Sequence, residues 1–283
     1  ASGLLGTEIT SRLDQKGIPW KALRHGEKGW DPEAGEFDPE HLQGVDGIIH
    51  LAGENIASGR WTETQKKKIR ESRVLGTRAL AQGIAASEEK PSFFICASAT
   101  GIYGDRGEED CTETTDPAEG FLSEVVQDWE AAADPAREAG VRVAHLRLGI
   151  VLSSEGGALK KMLPPFRLGL GGRLGNGRVW MSWIHLDDAA HAFVETALDS
   201  DRSGAINVVS PYPVRNSEFT RALGSALHRP TPFPVPAFMI SLLFGEMGRT
   251  LLLSSTRVTP QKLNNSGFSF GYPTIESALN DLL

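Results

Sequence analysis

The chain has 283 residues, 40% of them hydrophobic, a formal net charge of −7 and two cysteines. That is enough apolar material for a sizeable core, and it excludes a disordered chain, a disulfide-stapled scaffold and a zinc site built from cysteine pairs. The acidic balance argues against a nucleic-acid partner, and no apolar run approaches the ~20 residues of a membrane span, so the expectation is a cytoplasmic protein with neither partner.

The chain opens on Ala1-Ser2-Gly3-Leu4-Leu5-Gly6, after which Leu5, Ile9 and Leu13 recur at helical spacing. One glycine of a dinucleotide-binding turn brings the backbone close to a pyrophosphate and another lets the helix pack tightly on its strand. Gly3 and Gly6 fit those two roles, with the free N–H groups of the first helical turn facing phosphate. An ordinary loop-to-helix turn has the same spacing. On the first reading, an apolar strand ending in glycine is expected upstream of Ala1.

A turn at Lys16-Gly17 leads into Ile18 to Leu23, which reads as a short second strand ending at Arg24-His25. NAD-binding chains usually present Asp or Glu at that tip to the ribose 2′-hydroxyl. Here the side chains on offer are Arg24, His25 and Lys28, and a cation suits a 2′-phosphate, hence NADP. Solvated loop charges would look the same.

Farther on, Gly47 to Ala52 reads as a strand and Glu63 to Ala86 as a helix, with Lys66-Lys67-Lys68 on its solvated face. Ser92 to Ala97 is a strand holding Cys96 as a buried thiol, Leu122 to Ala139 is helical, and Arg142 to Arg147 is a strand. This alternation predicts an α/β fold, a Rossmann-like doubly wound parallel sheet over residues 1–150. Residues 151–283 then form a smaller C-terminal substrate lobe, interrupted at Gly156-Gly157, Gly169 to Gly177, Pro211 to Pro213 and Pro230 to Pro236. Lys160, Lys161, Arg167, Arg173 and Arg178 offer cations to an anionic small-molecule substrate, as a solvated loop also would.

Four segments together carry a resemblance: Leu51 to Ile56, Glu71 to Thr77, Ala97 to Asp105 and Trp183 to Asp188. The chain resembles the extended short-chain dehydrogenase/reductase superfamily, and within it the branch called epimerase family proteins, of NADP-dependent oxidoreductases and nucleoside-diphosphate-sugar epimerase-like proteins. The likeness covers essentially the whole chain, including Leu253-Ser254-Ser255, Arg257-Val258 and Lys262-Leu263 in the tail. It implies NADP(H) as cofactor, with Gly3, Leu4, Leu5 and Gly6 along the pyrophosphate, Arg24 at the 2′-phosphate, and Leu51, Ala52 and Gly53 under the adenosine and its ribose. It also implies Arg73 as a direct cofactor ligand helped by Lys68, and Gly149 beside the nicotinamide. Pairing with Glu71 or another carboxylate is the plainer role for Arg73.

The resemblance fails at one place. Superfamily oxidoreductases move a proton through a tyrosine tuned by a lysine four residues later, one helical turn away on the same face. With Glu130 as the register mark, those positions fall on Leu122 and Val126, which transfer no proton. Ser98, Thr100 and Tyr103 at the end of a strand, and His185, are then the candidate catalytic residues. Against that, Tyr103 suits a structural turn, His185 a packed imidazole, and Asp187 and Asp188 the cap of the next helix. Two functions follow: an NADP-dependent oxidoreductase or epimerase-like enzyme without the usual dyad, or an NADP-binding regulatory protein without turnover.

Overall fold

Four parallel strands organise the molecule. In the computed structural model, which describes residues 3–24, 26–32 and 34–283, they lie in the order Gly204–Val208, Arg142–Leu148, Phe93–Ala99, Gly47–His50. Phe93 is in register with both Gly47 and Arg142, and Gly204 with Ala144. Because strand side chains alternate, Phe93–Ala99 sends Ile95 and Ala97 into one core with Ile9, Ile184 and Phe193, and Phe94 and Cys96 into another with Leu80, Ile84 and Ala136. Helices therefore cover both faces, which is why these strands read as continuous apolar runs rather than alternating ones.

The helix Glu63–Ala86 has the expected bounds and starts where Thr62 Oγ1 accepts from Gln65 N at 3.2 Å. The segment expected as one helix from Leu122 to Ala139 is two, Phe121–Ala131 and Asp134–Glu138. Pro135 opens the second, where its missing N–H is no loss. Ile18 to Leu23 is irregular rather than a strand. A strand exists only through a partner, and no strand of the described residues lies beside this segment. Cys96 and Cys111 are both buried free thiols.

Beyond the main sheet Ile150–Leu152 pairs in parallel with Trp183–His185. A further core gathers Trp183 of that pair with Leu159, Leu163, Phe166, Phe219, Leu223, Ile275 and Leu279 from the helices Gly157–Arg167, Asn216–Ala226 and Ile275–Leu282. The tail also returns to the first half of the chain, since Arg257–Val258 pairs with Asp110–Cys111. Among the described residues no helix is long and apolar enough to cross a membrane, and no group of His, Cys, Asp and Glu could hold a metal.

Candidate cofactor and active site

The carboxyl ends of the four strands define one edge, where Leu5, Leu51, Gly53 and Arg73 of the predicted cofactor residues meet. The helix Leu4–Gln15 begins after Gly3, which has φ −85°, ψ 162° and makes no side-chain cap. The N–H groups of its first turn have no intrahelical partner, so this end is positive and open to an anion. Leu5, Leu51, Leu148 and Val151 pack against one core cluster, which brings the helix start, the segment after His50 and the end of Arg142–Leu148 together. Gly6 is buried. Leu4 lies over the loop before the helix Gly157–Arg167, where a Cβ on Gly156 would come within 2.5 Å of Leu4 Cδ1.

Arg73 reaches this edge from the helix Glu63–Ala86. Its Nη1 donates to Ile69 O at 3.1 Å, its guanidinium lies 5.1 Å from the centre of the Trp129 ring, and a Cβ on Gly53 would sit 3.1 Å from its Cζ. Trp129 is itself fixed by donating to Thr77 Oγ1 at 3.0 Å. Pairing with Glu71 does not occur, because Glu71 pairs with Lys67 at 3.7 Å. Among the described residues no carboxylate forms an ion pair with Arg73. Burial lowers its pKa to about 10, with Glu54 opposing the shift, so at neutral pH it remains a part-buried cation that Glu54 offsets only from beyond ion-pair distance. Lys68 is exposed on the same helix. Arg24 is exposed in an open groove with Trp20, Ala22 and Glu27, and its backbone N–H donates to Glu27 Oε2 at 3.0 Å. His25 lies outside the described residues.

The candidate catalytic hydroxyls are less free than the sequence suggests. Ser98 Oγ donates to Glu130 Oε1 at 2.6 Å, and Glu130 takes two further hydrogen bonds from Arg147 at 2.8 Å each. Arg147 Nη1 also donates to Tyr103 OH at 3.0 Å, and that hydroxyl donates to Asn207 Oδ1 at 2.7 Å. Asn207 Nδ2 in turn donates to Thr259 O at 3.1 Å, tying the main sheet to the tail. Burial pushes the Glu130 carboxyl up, but the hydrogen bonds and charge of Arg147 outweigh it and hold Glu130 ionised below the usual carboxylate range. Burial raises the Tyr103 phenol against the pull of Arg147. Glu130 entered the sequence reading only as a register mark, although an arginine inside an apolar strand, Arg147, already signals a buried counter-charge.

Thr100 follows the strand Phe93–Ala99 directly, with Oγ1 donating to Leu148 O at 3.2 Å and acceptor capacity left over. Leu122 packs over Gly101, 3.5 Å from where its Cβ would be, and Val126 is buried with Ile102, Tyr103 and Cys111. Gly149 has a structural reason of its own: a Cβ there would fall 2.6 Å from Ser182 O and 2.8 Å from Val209 Cγ1.

His185 faces the tail. Its ring stacks on Tyr272 at 3.9 Å, Nε2 lies 3.2 Å from Asp281 Oδ2, and Nδ1 accepts from Asp187 N at 3.1 Å. Burial lowers its pKa against the pull of Asp281. The capping roles are therefore reversed from expectation: His185 caps the helix Leu186–Leu198. Asp187 pairs with Arg12, and Asp188 accepts from Gly271 N at 2.7 Å and Tyr272 N at 2.9 Å.

A parallel sheet whose carboxyl edge joins a helix N-terminus to a part-buried arginine without an ion pair is a dinucleotide-binding arrangement. The chain belongs to the NAD dependent epimerase/dehydratase family, whose model matches residues 1–209; residues 235–282 match a Domain of unknown function (DUF1731). It is 40% identical over 285 residues to Epimerase family protein Mb2239 of Mycobacterium bovis, spanning 99% of this chain and 94% of that one. It is similar to the crystal structure of human epimerase family protein SDR39U1 with NADPH, at a TM-score of 0.87 and 29% identity, covering 99% of this chain and 96% of the other. The UDP-glucose 4-epimerase of Thermus thermophilus in complex with NAD shares the fold, at a TM-score of 0.72 and 17% identity over 99% and 96% of the two chains.

Proposed function

We propose that this chain binds NADP(H) along the carboxyl edge of its sheet and acts as an oxidoreductase or epimerase-like enzyme on a small polar substrate. The observation that carries this reading is Arg73, a part-buried cation with no ion-pair partner among the described residues, resting under Gly53. Such a group costs stability unless an anion completes it, and a phosphate of the cofactor does so. The first turn after Gly3 supplies backbone N–H groups to the pyrophosphate, Leu51 to Gly53 give the adenosine a flat seat, and Arg24 reaches the 2′-phosphate from the rim, with Lys68 in support. The nicotinamide, when bound, supplies the hydride chemistry. NADPH in the human relative supports the choice over NAD, although the Thermus thermophilus epimerase of the same fold is a complex with NAD.

Proton transfer is the weak part of the apparatus. Leu122 and Val126 move no proton, Ser98 and Tyr103 are engaged in the Glu130–Arg147 network, and His185 is held by the tail. Of the four candidates, Thr100 retains the freest hydroxyl for holding a polar group near the strand end. The same facts favour a second reading, a protein that binds NADP(H) without turnover. Fluorescence titration with NADPH and NADH, on the parent and on Arg73→Ala, tests the binding claim. NADPH affinity should fall about ten- to hundredfold in the variant. An unchanged affinity would remove Arg73 from the site. NADPH oxidation in the presence of a panel of small carbonyl compounds then separates the enzyme from the binding-only protein.

A further inference from the structure

Two segments of the C-terminal half form a surface unlike the rest of this acidic chain. Residues 156–186 and 219–245 contain no aspartate or glutamate, while the first carries Lys160, Lys161, Arg167, Arg173 and Arg178 and the second Arg221 and Arg229. The segments adjoin: Val235 N donates to Arg173 O at 2.8 Å, Gly175 N to Val235 O at 2.8 Å, and Arg229 Nε to Arg167 O at 3.0 Å. A chain with a net charge of −7 has thus gathered seven lysines and arginines in two adjoining segments that carry no carboxylate of their own.

That face is also where the exposed apolar side chains are. Of the twelve large hydrophobic residues left exposed among the described residues, eight belong to these two segments. Leu168 (74% exposed), Phe238 (70%) and Leu242 (70%) lead them, with Leu170, Phe233 and Leu243. The helix Ala237–Leu252 is broken at Gly245, where φ is 61° and ψ −136°. Its first half, Ala237 to Phe244, carries no charge at all. Ile240 is buried beneath, so this half-helix is anchored by one side and presents Phe238, Leu242 and Leu243 outward. Arg60 secures its end by donating to Leu243 O at 2.9 Å and to Leu242 O.

We propose that this face docks on an anionic lipid surface, the apolar residues entering the headgroup boundary while the surrounding lysines and arginines meet lipid phosphates. The charge complementarity decides among occupants. A second copy of this chain would bring the same patch against itself in a two-fold dimer, placing cation against cation. An anionic bilayer satisfies both features at once, since interfacial binding adds buried apolar area to electrostatic attraction. This docking lies on the membrane and does not span it, so the absence of a membrane-crossing helix among the described residues is no obstacle.

The test is co-sedimentation of the whole chain with phosphatidylcholine vesicles, with and without phosphatidylglycerol, at low salt and at about 0.5 M salt. Binding should require phosphatidylglycerol and weaken at high salt. Phe238→Ser with Leu242→Ser should reduce it at least about tenfold through lost apolar burial. Lys160→Glu with Arg167→Glu should reduce it at least about 25-fold, at about fivefold for each cation removed. All four positions are exposed, and an unchanged thermal melting curve confirms that each variant is folded. Failure of the parent chain to bind phosphatidylglycerol vesicles at low salt overturns the proposal, as does equal binding by the folded variants. A concentration-dependent dimer in light scattering that disappears in Phe238→Ser with Leu242→Ser assigns the face to a second copy instead.

Discussion

Arg147 grips Glu130 through two parallel hydrogen bonds, Nε to Oε1 and Nη2 to Oε2, each 2.8 Å long, with both side chains mostly out of water. The pair joins the strand Arg142–Leu148 to the helix Phe121–Ala131, and through Ser98 and Tyr103 to the neighbouring strand and the tail. Removing one partner strands a buried charge, so Glu130→Ala should destabilise the protein by about 3–5 kcal/mol. Ser98→Ala, which removes one neutral donor from a carboxylate that keeps two others, should cost about 1 kcal/mol. Urea unfolding measures both. Equal losses in the two variants would mean that the network is not organised around the ion pair.

Arg24 is exposed, and its guanidinium has no ion-pair partner among the described residues. If it meets the 2′-phosphate, Arg24→Ala should reduce the preference for NADPH over NADH by about tenfold, the lower end for a charge-assisted contact because water competes there. NADH affinity should hardly change. The ratio of the two dissociation constants, by fluorescence titration, is the readout. A preference that survives the substitution moves the role to Lys28 or another cation.

The sheet was legible because buried parallel strands leave unbroken apolar runs, as in Phe93–Ala99 and Arg142–Leu148, and the long helix was legible from its period and from Thr62. The gathering of Leu5, Leu51 and Leu148 at one edge also follows from strand direction alone. What the sequence hid was pairing between distant side chains. Nothing local marks Asn207 as the acceptor for Tyr103, or Asp281 as the neighbour of His185, because the first contact depends on which strands come together in the sheet and the second on how the tail folds back. Ser98 looked available for chemistry for the same reason: its partner Glu130 is 32 positions away.

Two buried histidines set an acid limit. His50 lies among Trp30 and Phe94, and His145 accepts a hydrogen bond from Arg137 at 3.0 Å; burial lowers each pKa to about 4. Both are neutral when folded, whereas in the unfolded chain they titrate near 6.5. Between those values the unfolded state binds more protons, so stability is full above pH ~6.5 and falls as pH drops towards ~4. Each histidine should cost about 2 kcal/mol at pH ~5 relative to neutrality. Urea unfolding at the two pH values measures the loss, and His145→Gln should flatten the dependence. A curve as steep in that variant as in the parent would place the titration elsewhere.

Rebuilding the missing tyrosine–lysine dyad tests why it is missing. Leu122 is only partly buried and faces Gly101, so Leu122→Tyr has room for its ring at the edge of the site. Val126 is 3% exposed among Ile102, Tyr103 and Cys111. A lysine there must either bury its charge or give up its proton, and at neutral pH that costs about 4 kcal/mol. Val126→Lys should therefore lower the urea midpoint sharply, while Leu122→Tyr leaves it near that of the parent. The double variant should gain no turnover of a simple carbonyl probe, because a neutral, sequestered amine cannot lower the phenol's pKa. A stable double variant that oxidises NADPH faster than the parent would show that the pocket still accepts the dyad, and that its loss is a matter of two side chains rather than of the surrounding core.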